Sequence, residues 1–198
     1  MDQFPLPALG RMMVFIDGEN LVMRYEEMLS KGRTPTHEVK HQKEVFAWSH
    51  AAVWPSAHVV QRATYYTYFS GSDPDYAATE RAIRSLTFGQ YAAPGQSFTL
   101  RLNNNLYPRV FRKVRGQRAG KGVDIQLTID CLGHAYNDNL DTVYLIAGDG
   151  DYEPLITECQ RYGKTVMVAA LSSGLNDRLP RVADQFIDLD GRFFDPVP

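Results

Sequence analysis

Four carboxylates at three separated places give this chain its best candidates for a reactive centre. Asp17 lies in Phe15-Ile16-Asp17-Gly18-Glu19-Asn20, Asp124 in Lys121-Gly122-Val123-Asp124, and Asp149 and Asp151 in Ala147-Gly148-Asp149-Gly150-Asp151. At Asp17 and Asp149 an apolar run breaks into a glycine turn, the pattern of a buried strand that ends in an exposed loop. In an open α/β sheet such loops collect at the carboxyl edge of the strands, where ligands bind. Carboxylates gathered there repel one another unless a hard cation lies among them. Mg²⁺ or Mn²⁺ suits such a place, because it takes oxygen ligands, keeps several waters and needs only a few carboxylates plus substrate phosphate oxygens. Ions of this kind activate water and polarise phosphoryl oxygens, so the four acids point to metal-dependent cleavage of phosphodiesters.

Each acid also has a plain structural explanation. Asp17 could serve a turn, Asp151 could cap the helix that contains Pro154, and Asp124 could be a surface acid in a first helical turn. Three unrelated coincidences at one sheet edge are harder to accept than one shared cause, which favours the metal. Asn20, at the start of a helix, either orients Asp17 or caps that helix. Asp130 follows Asp124 by about 240° around a helix and should point away from it, in a structural role. Glu19, in the same loop as Asp17, is open to both readings.

The elements that must position these groups alternate in type. An apolar strand at 12–16 precedes a helix at 20–29 and a turn-rich break at 30–36. A helix at 37–53, a strand at 62–69 and a helix at 75–87 follow. Two strands at 97–102 and 109–114 read as a hairpin around residues 103–108. A helix at 122–136, a strand at 142–147, a helix at 151–162, a strand at 165–170, a short helix at 175–182 and a strand at 185–189 complete the chain. Strands alternating with helices imply an α/β fold with a mostly parallel sheet and helices on both faces. We expect one domain over 12–198 behind a lead-in at 1–11, with insertions at about 30–60 and 97–118.

The bulk numbers exclude several classes. The 198 residues, 44% hydrophobic and 22% charged, are those of a soluble globular domain with a real core. No apolar run approaches a membrane span and the start lacks the features of a secretory signal, so the cytoplasm is expected and a membrane partner is not. Cys131 and Cys159 are too few for a disulfide framework or a zinc motif and read as core thiols. The aromatic content allows a homodimer without demanding one. Tyr65, Tyr66, Tyr68 and Phe69 read as sheet core, and His37 with His41 as a solvated helix face.

The net charge of −2 hides a polarised chain. Arg101, Arg109, Arg112, Lys113, Arg115, Arg118 and Lys121 follow one another without an intervening acid and lead directly to Asp124. Such cations supply salt-sensitive affinity for phosphates, and Asn103, Asn104, Asn105 and Tyr107 at the hairpin tip offer hydrogen-bonding and stacking partners for unpaired bases. RNA, single-stranded or structured, is the expected partner, with Lys121 the cation nearest the site. The alternative is an edge hairpin whose charges block aggregation.

Phe15-Ile16-Asp17-Gly18-Glu19-Asn20-Leu21, Lys121-Gly122-Val123-Asp124-Ile125-Gln126-Leu127 and Ala147-Gly148-Asp149-Gly150-Asp151-Tyr152-Glu153-Pro154-Leu155 together resemble the NYN domain family, in its LabA-like (DUF88) branch, within the PIN-like nucleases. The tail at 179–190 is similar as well, so the resemblance spans roughly 11–190. It implies a PIN-like three-layer α/β/α sandwich and a ribonuclease site dependent on Mg²⁺ or Mn²⁺. By position, Asp17, Asp124, Asp149 and Asp151 match the family's acidic motifs and Asn20 its nearby asparagine. Ala147 stands where these proteins usually carry Ser. Two other functions compete. One is a non-catalytic RNA-binding module with the same fold. The other is a phosphatase with Asp17 as nucleophile, which wants a second Asp where Glu19 stands.

Overall fold

The apolar run at the start of the chain forms the middle of the sheet. In the computed structural model, which describes residues 10–53, 58–89, 104–112 and 121–196, β1 (Gly10–Asp17) pairs in parallel on both of its sides. Its side chains alternate between two cores, as a strand's period of two requires: Met12, Val14 and Ile16 face one and Phe15 the other. α1 (Gly18–Ser30) begins at once, because Asp17 caps it. β2 (Lys40–Gln42) and β3 (Phe46–Trp48) form a small antiparallel hairpin that packs on α1.

β4 (His58–Phe69), α2 (Asp73–Ser85) and β5 (Tyr107–Arg112) then build one half of the sheet. α3 (Lys121–Tyr136), β6 (Thr142–Ile146), α4 (Glu153–Arg161), β7 (Thr165–Ala170), α5 (Leu179–Val182), β8 (Gln185–Asp188) and α6 (Asp190–Phe193) complete the other. The strand order is β5-β4-β1-β6-β7-β8, and every neighbouring pair is parallel. Leu21, Val22, Tyr25 and Ile83 of α1 and α2 pack on one face, and Val123, Leu127, Cys131, Leu155, Ile156 and Cys159 of α3 and α4 on the other. The result is a three-layer α/β/α sandwich. Its strand order reverses at β1, whose following helix lies on one face while the helix after β6 lies on the other. Loops that diverge in this way open a crevice at the carboxyl ends of β1 and β6, the ligand position of open α/β sheets.

Two expectations need correction. Residues 37–53 are not helical: they form β2, β3 and a 3-10 turn at His50–Ala52. Phe46, Ala47 and Trp48 are buried on every side, so burial against α1 and a hydrogen bond from Trp48 Nε1 to the Thr87 carbonyl (2.8 Å) override any helical preference. His37 and His41 therefore share no helix face, and His41 Nε2 instead meets Glu26 Oε1 at 2.9 Å. Tyr107 does not sit at a hairpin tip but opens β5, opposite Thr64 of β4. The first arm of the expected hairpin, 97–102, lies outside the described residues. Tyr65 and Tyr66 are core residues as expected, and the Cys131 and Cys159 thiols are buried with their sulfurs 3.7 Å apart. Among the described residues no helix is long and apolar enough to cross a membrane.

Candidate metal centre

Asp17 ends β1 at the crevice, and its environment is almost fully dry. The residue is 3% exposed, and its carboxylate Oδ1 accepts the Asn20 backbone N–H at 2.9 Å. This is an N-cap interaction, so the cap of α1 is Asp17 rather than Asn20. The Asn20 side chain turns the other way and accepts the Gly148 N–H through Oδ1 at 3.1 Å. Asn20 thereby ties the loop after β1 to the loop after β6. A second tie comes from beyond β7, where the Asn176 N–H donates to the Gly148 carbonyl at 3.0 Å.

Those ties hold the turn that carries Asp149 and Asp151. Asp149 caps the 3-10 turn at Gly150–Tyr152 by accepting the Asp151 N–H through Oδ1 at 3.0 Å. Asp149, not Asp151, is thus the capping acid there, and both residues are exposed. The turn runs directly into α4, with Pro154 in its first turn. Tyr152 points inward from the same turn and is 3% exposed. Its hydroxyl stands 3.1 Å from Asp17 Oδ2 and 3.2 Å from Asp124 Oδ1, so one proton is shared between two carboxylates. Asp124 lies in the first turn of α3, half-buried, and reaches the crevice from the opposite face.

Sequence reasoning missed Tyr152. The only available signal was an aromatic residue directly after Asp149-Gly150-Asp151, and nothing local reveals that its hydroxyl reaches β1 and α3. Asp130 turns away from Asp124 as expected, into bonds with Tyr66 (2.9 Å), Arg109 (3.0 Å) and Gln126 (2.8 Å).

The electrostatics follow from this geometry. Burial pushes the Asp17 carboxyl up to about 7; the charge of Asp124 adds to the rise, while the bonds from Asn20 and Tyr152 oppose it. Asp124 is also raised, first by burial and then by Asp149, Glu19 and Asp151, while its bond from Tyr152 acts the other way. Glu19 therefore belongs to the acidic neighbourhood. Among the described residues no Lys, Arg or His is ion-paired with Asp17, Asp124, Asp149 or Asp151. A buried carboxylate without a cationic partner is costly.

The donor set has a clear limit. Among the described residues no three carboxylate, imidazole or thiol side chains stand close enough to cage an ion. Asp17 and Asp124, linked through Tyr152, are the pair the geometry brings together. All these donors are hard oxygens. A buried carboxylate paired with a half-buried one, with exposed acids beside them, fits a small divalent ion that keeps part of its water better than an ion caged entirely by protein.

Of the cations expected to meet phosphate, Lys113, Arg115 and Arg118 lie outside the described residues, as does the side chain of Lys121. Arg112 is engaged by Asp73 and lies over the Tyr76 ring, 4.7 Å from its centroid.

Comparison with known proteins agrees with the fold. An uncharacterized protein of Methanocaldococcus jannaschii, MJ0482, is 30% identical over 71 residues, a match spanning 36% of this chain and 30% of that protein. The crystal structure of a protein of unknown function from Vibrio parahaemolyticus, VPA0982, superposes with a TM-score of 0.63 at 19% identity, covering 97% of this chain and 100% of that one. Residues 11–190, which run from β1 through β8 and contain all four acids of the crevice, match the NYN domain, and the chain belongs to that family.

Proposed function

We propose that this protein is a divalent-metal-dependent ribonuclease, of the LabA-like branch of its family, that hydrolyses RNA phosphodiesters at the crevice between β1 and β6. The observation that carries this reading is Asp17: a buried carboxylate, joined through one tyrosine hydroxyl to the Asp124 carboxylate, with no Lys, Arg or His among the described residues ion-paired to either. In this reading Asp17 and Asp124 would hold Mg²⁺ or Mn²⁺, with Asp149 and Asp151 as further oxygen donors beside them. When bound, such an ion supplies Lewis-acid neutralisation of phosphate charge and an acidified water. The chain supplies position. Asn20 locks the Asp17 carboxylate and the Gly148 turn into one unit, and Tyr152 fixes the orientation of Asp17 and Asp124 toward each other. No side-chain nucleophile is needed.

The direct test is cleavage of labelled single-stranded and hairpin RNAs with Mn²⁺. We expect cleavage that disappears in EDTA and falls roughly 10- to 100-fold in Asp149→Asn, the size of loss typical when a group supporting a metal site is removed. The non-catalytic RNA-binding reading draws on the lack of a three-carboxylate cage among the described residues. It wins if folded wild-type protein binds these RNAs, leaves them intact with Mn²⁺, and binds them equally well as Asp149→Asn.

Tyr152→Phe isolates the hydroxyl while keeping the buried ring. Losing its bond to the carboxylates should cost about 1.5–3 kcal/mol, as for other hydrogen bonds to charged groups. It should also raise the Asp17 pKa further and weaken Mn²⁺ binding about 10- to 100-fold in a calorimetric titration. Unchanged Mn²⁺ affinity would show that the hydroxyl is only a packing contact.

A further inference from the structure

We propose that Arg62, Arg84 and Tyr107 form a docking point for the backbone of single-stranded RNA, distinct from the crevice carboxylates and connected to them along β5. The choice of RNA rests on the ribonuclease reading; the site itself rests on three side chains that the sheet brings together. Arg62 comes from β4, Arg84 from the last turn of α2 and Tyr107 from the start of β5. The guanidinium carbons of Arg62 and Arg84 lie 5.0 and 5.4 Å from the centroid of the Tyr107 ring. Tyr107 is 41% exposed and both arginines are exposed.

Two guanidiniums against one ring repel each other, and among the described residues neither is ion-paired. Along the sequence, residues 81–123 include nine basic residues and no acid. By contrast, Arg109 and Arg112, on the same strand as Tyr107, are engaged by Asp130 and Asp73. Arg62 and Arg84 thus hold two positive charges braced on an aromatic face, without a carboxylate partner among the described residues. Each guanidinium offers a planar fork that can take a phosphate bidentately, while an unpaired base can stack on the phenol ring or a guanidinium plane. An anionic partner without bases, such as an acidic protein surface, would leave the half-exposed ring without a role.

Packing contacts link β5 to the turn that carries Asp124. Tyr107, Arg109 and Phe111 lie on one face of β5 by strand alternation, a span of about 13 Å. The Phe111 ring packs on Tyr68 with centroids 6.1 Å apart, and the Tyr68 hydroxyl accepts the Gly122 N–H at 2.7 Å in the helical turn that carries Asp124. In this proposal a strand docked at Tyr107 follows β5 toward the acidic site.

The test is fluorescence anisotropy of a short labelled single-stranded RNA, in EDTA so that nothing is cleaved, over a range of KCl concentrations. Turnover of the small diester bis(p-nitrophenyl) phosphate with Mn²⁺, which reaches only the carboxylates, is measured in parallel. Arg62→Gln combined with Arg84→Gln should weaken RNA binding about tenfold or more and flatten the slope of log affinity against log salt by about 1.4, two phosphate contacts at about 0.7 each. Tyr107→Leu should weaken binding at least about fivefold and leave the slope unchanged. Arg62→Lys with Arg84→Lys should keep the slope, which together with unchanged thermal melting separates lost charge from misfolding. Small-diester turnover should be the same in all these variants.

Wild-type affinity and slope in the double Gln variant would overturn the proposal while leaving the ribonuclease reading intact. Equal competition by polyglutamate, charge for charge, would overturn it in favour of an acidic protein partner. If RNA binding depends on Arg62 and Arg84 while the wild type turns over no diester, the docking point stands and the catalytic reading falls.

Discussion

Asp17→Asn is expected to raise the melting temperature of the metal-stripped protein at pH 8 while lowering Mn²⁺-dependent RNA cleavage by about 10³-fold, the scale of losing a group that stabilises transition-state charge. The stability effect follows from burial. In the unfolded chain this carboxyl titrates near 3.9, whereas folding pushes it up to about 7. Below about pH 4 both states hold the proton and the site imposes no penalty. As pH rises through the unfolded value toward the folded one, the unfolded state loses its proton first, and stability is lost until both states are ionised above about pH 7. A shift of that size corresponds to up to about 4 kcal/mol.

The amide of this variant would keep the local geometry, its oxygen accepting the Asn20 N–H and its nitrogen donating toward the Tyr152 hydroxyl. The gain over wild type should be absent at about pH 4, grow to about pH 7 and level off above it. Mn²⁺ should narrow the gap: at about 100 times its dissociation constant a bound ion adds about 2.7 kcal/mol to the wild type and nothing to a variant that cannot bind it. Thermal melts with EDTA and with Mn²⁺ across pH read all of this. A lower melting temperature for Asp17→Asn in EDTA at pH 8 would identify Asp17 as a structural cap and remove the main support for a metal centre.

Gly18→Ala should be among the most damaging single-methyl substitutions in the chain, with a loss of at least about 3 kcal/mol and a melting temperature lower by roughly 6–12 °C. Gly18 is not required for its backbone angles, which are helical. It is required for space: a Cβ there would lie 2.1 Å from Tyr65 Cε1 and 2.6 Å from the Tyr66 carbonyl oxygen. Neither neighbour can yield easily. Tyr65 is fully buried, its hydroxyl bonded to the Ala47 carbonyl at 3.4 Å and its ring edge-on to Trp48, and the Tyr66 carbonyl belongs to the backbone of β4. Because Gly18 adjoins Asp17, the shift should also displace the carboxylate and reduce Mn²⁺ binding. A variant that melts within about a degree of wild type would show that β4 moves freely beneath α1.

Much of this architecture is written in local pattern. The apolar runs at 12–16, 142–147 and 165–170 emerge as β1, β6 and β7 because a strand buried on both faces needs little beyond a short β-branched or apolar stretch ended by a turn. The placement of Asp17 and Asp149 at strand ends, and of Asp124 in a first helical turn, follows from the same short-range signals. Belonging to one family is likewise legible, since the motifs at 15–21, 121–127 and 147–155 stand in one order along the chain.

Residues 37–53 show where such reasoning stops: a polar, helix-compatible stretch becomes a hairpin because Phe46 to Trp48 find burial against α1, a contact no local window contains. The same holds for function. Tyr152 reaches Asp17 across 135 positions of sequence, and Arg62, Arg84 and Tyr107 meet only because β5 lies beside β4 at the sheet edge. Most of the elements, their order and the acids of the crevice could be read along the chain, because periodicity and turn chemistry act within a few neighbours. Which carboxylates face one another, which hydroxyl joins them and which cations lack a carboxylate partner emerge only on folding, because burial, proximity and charge balance are properties of the packed chain.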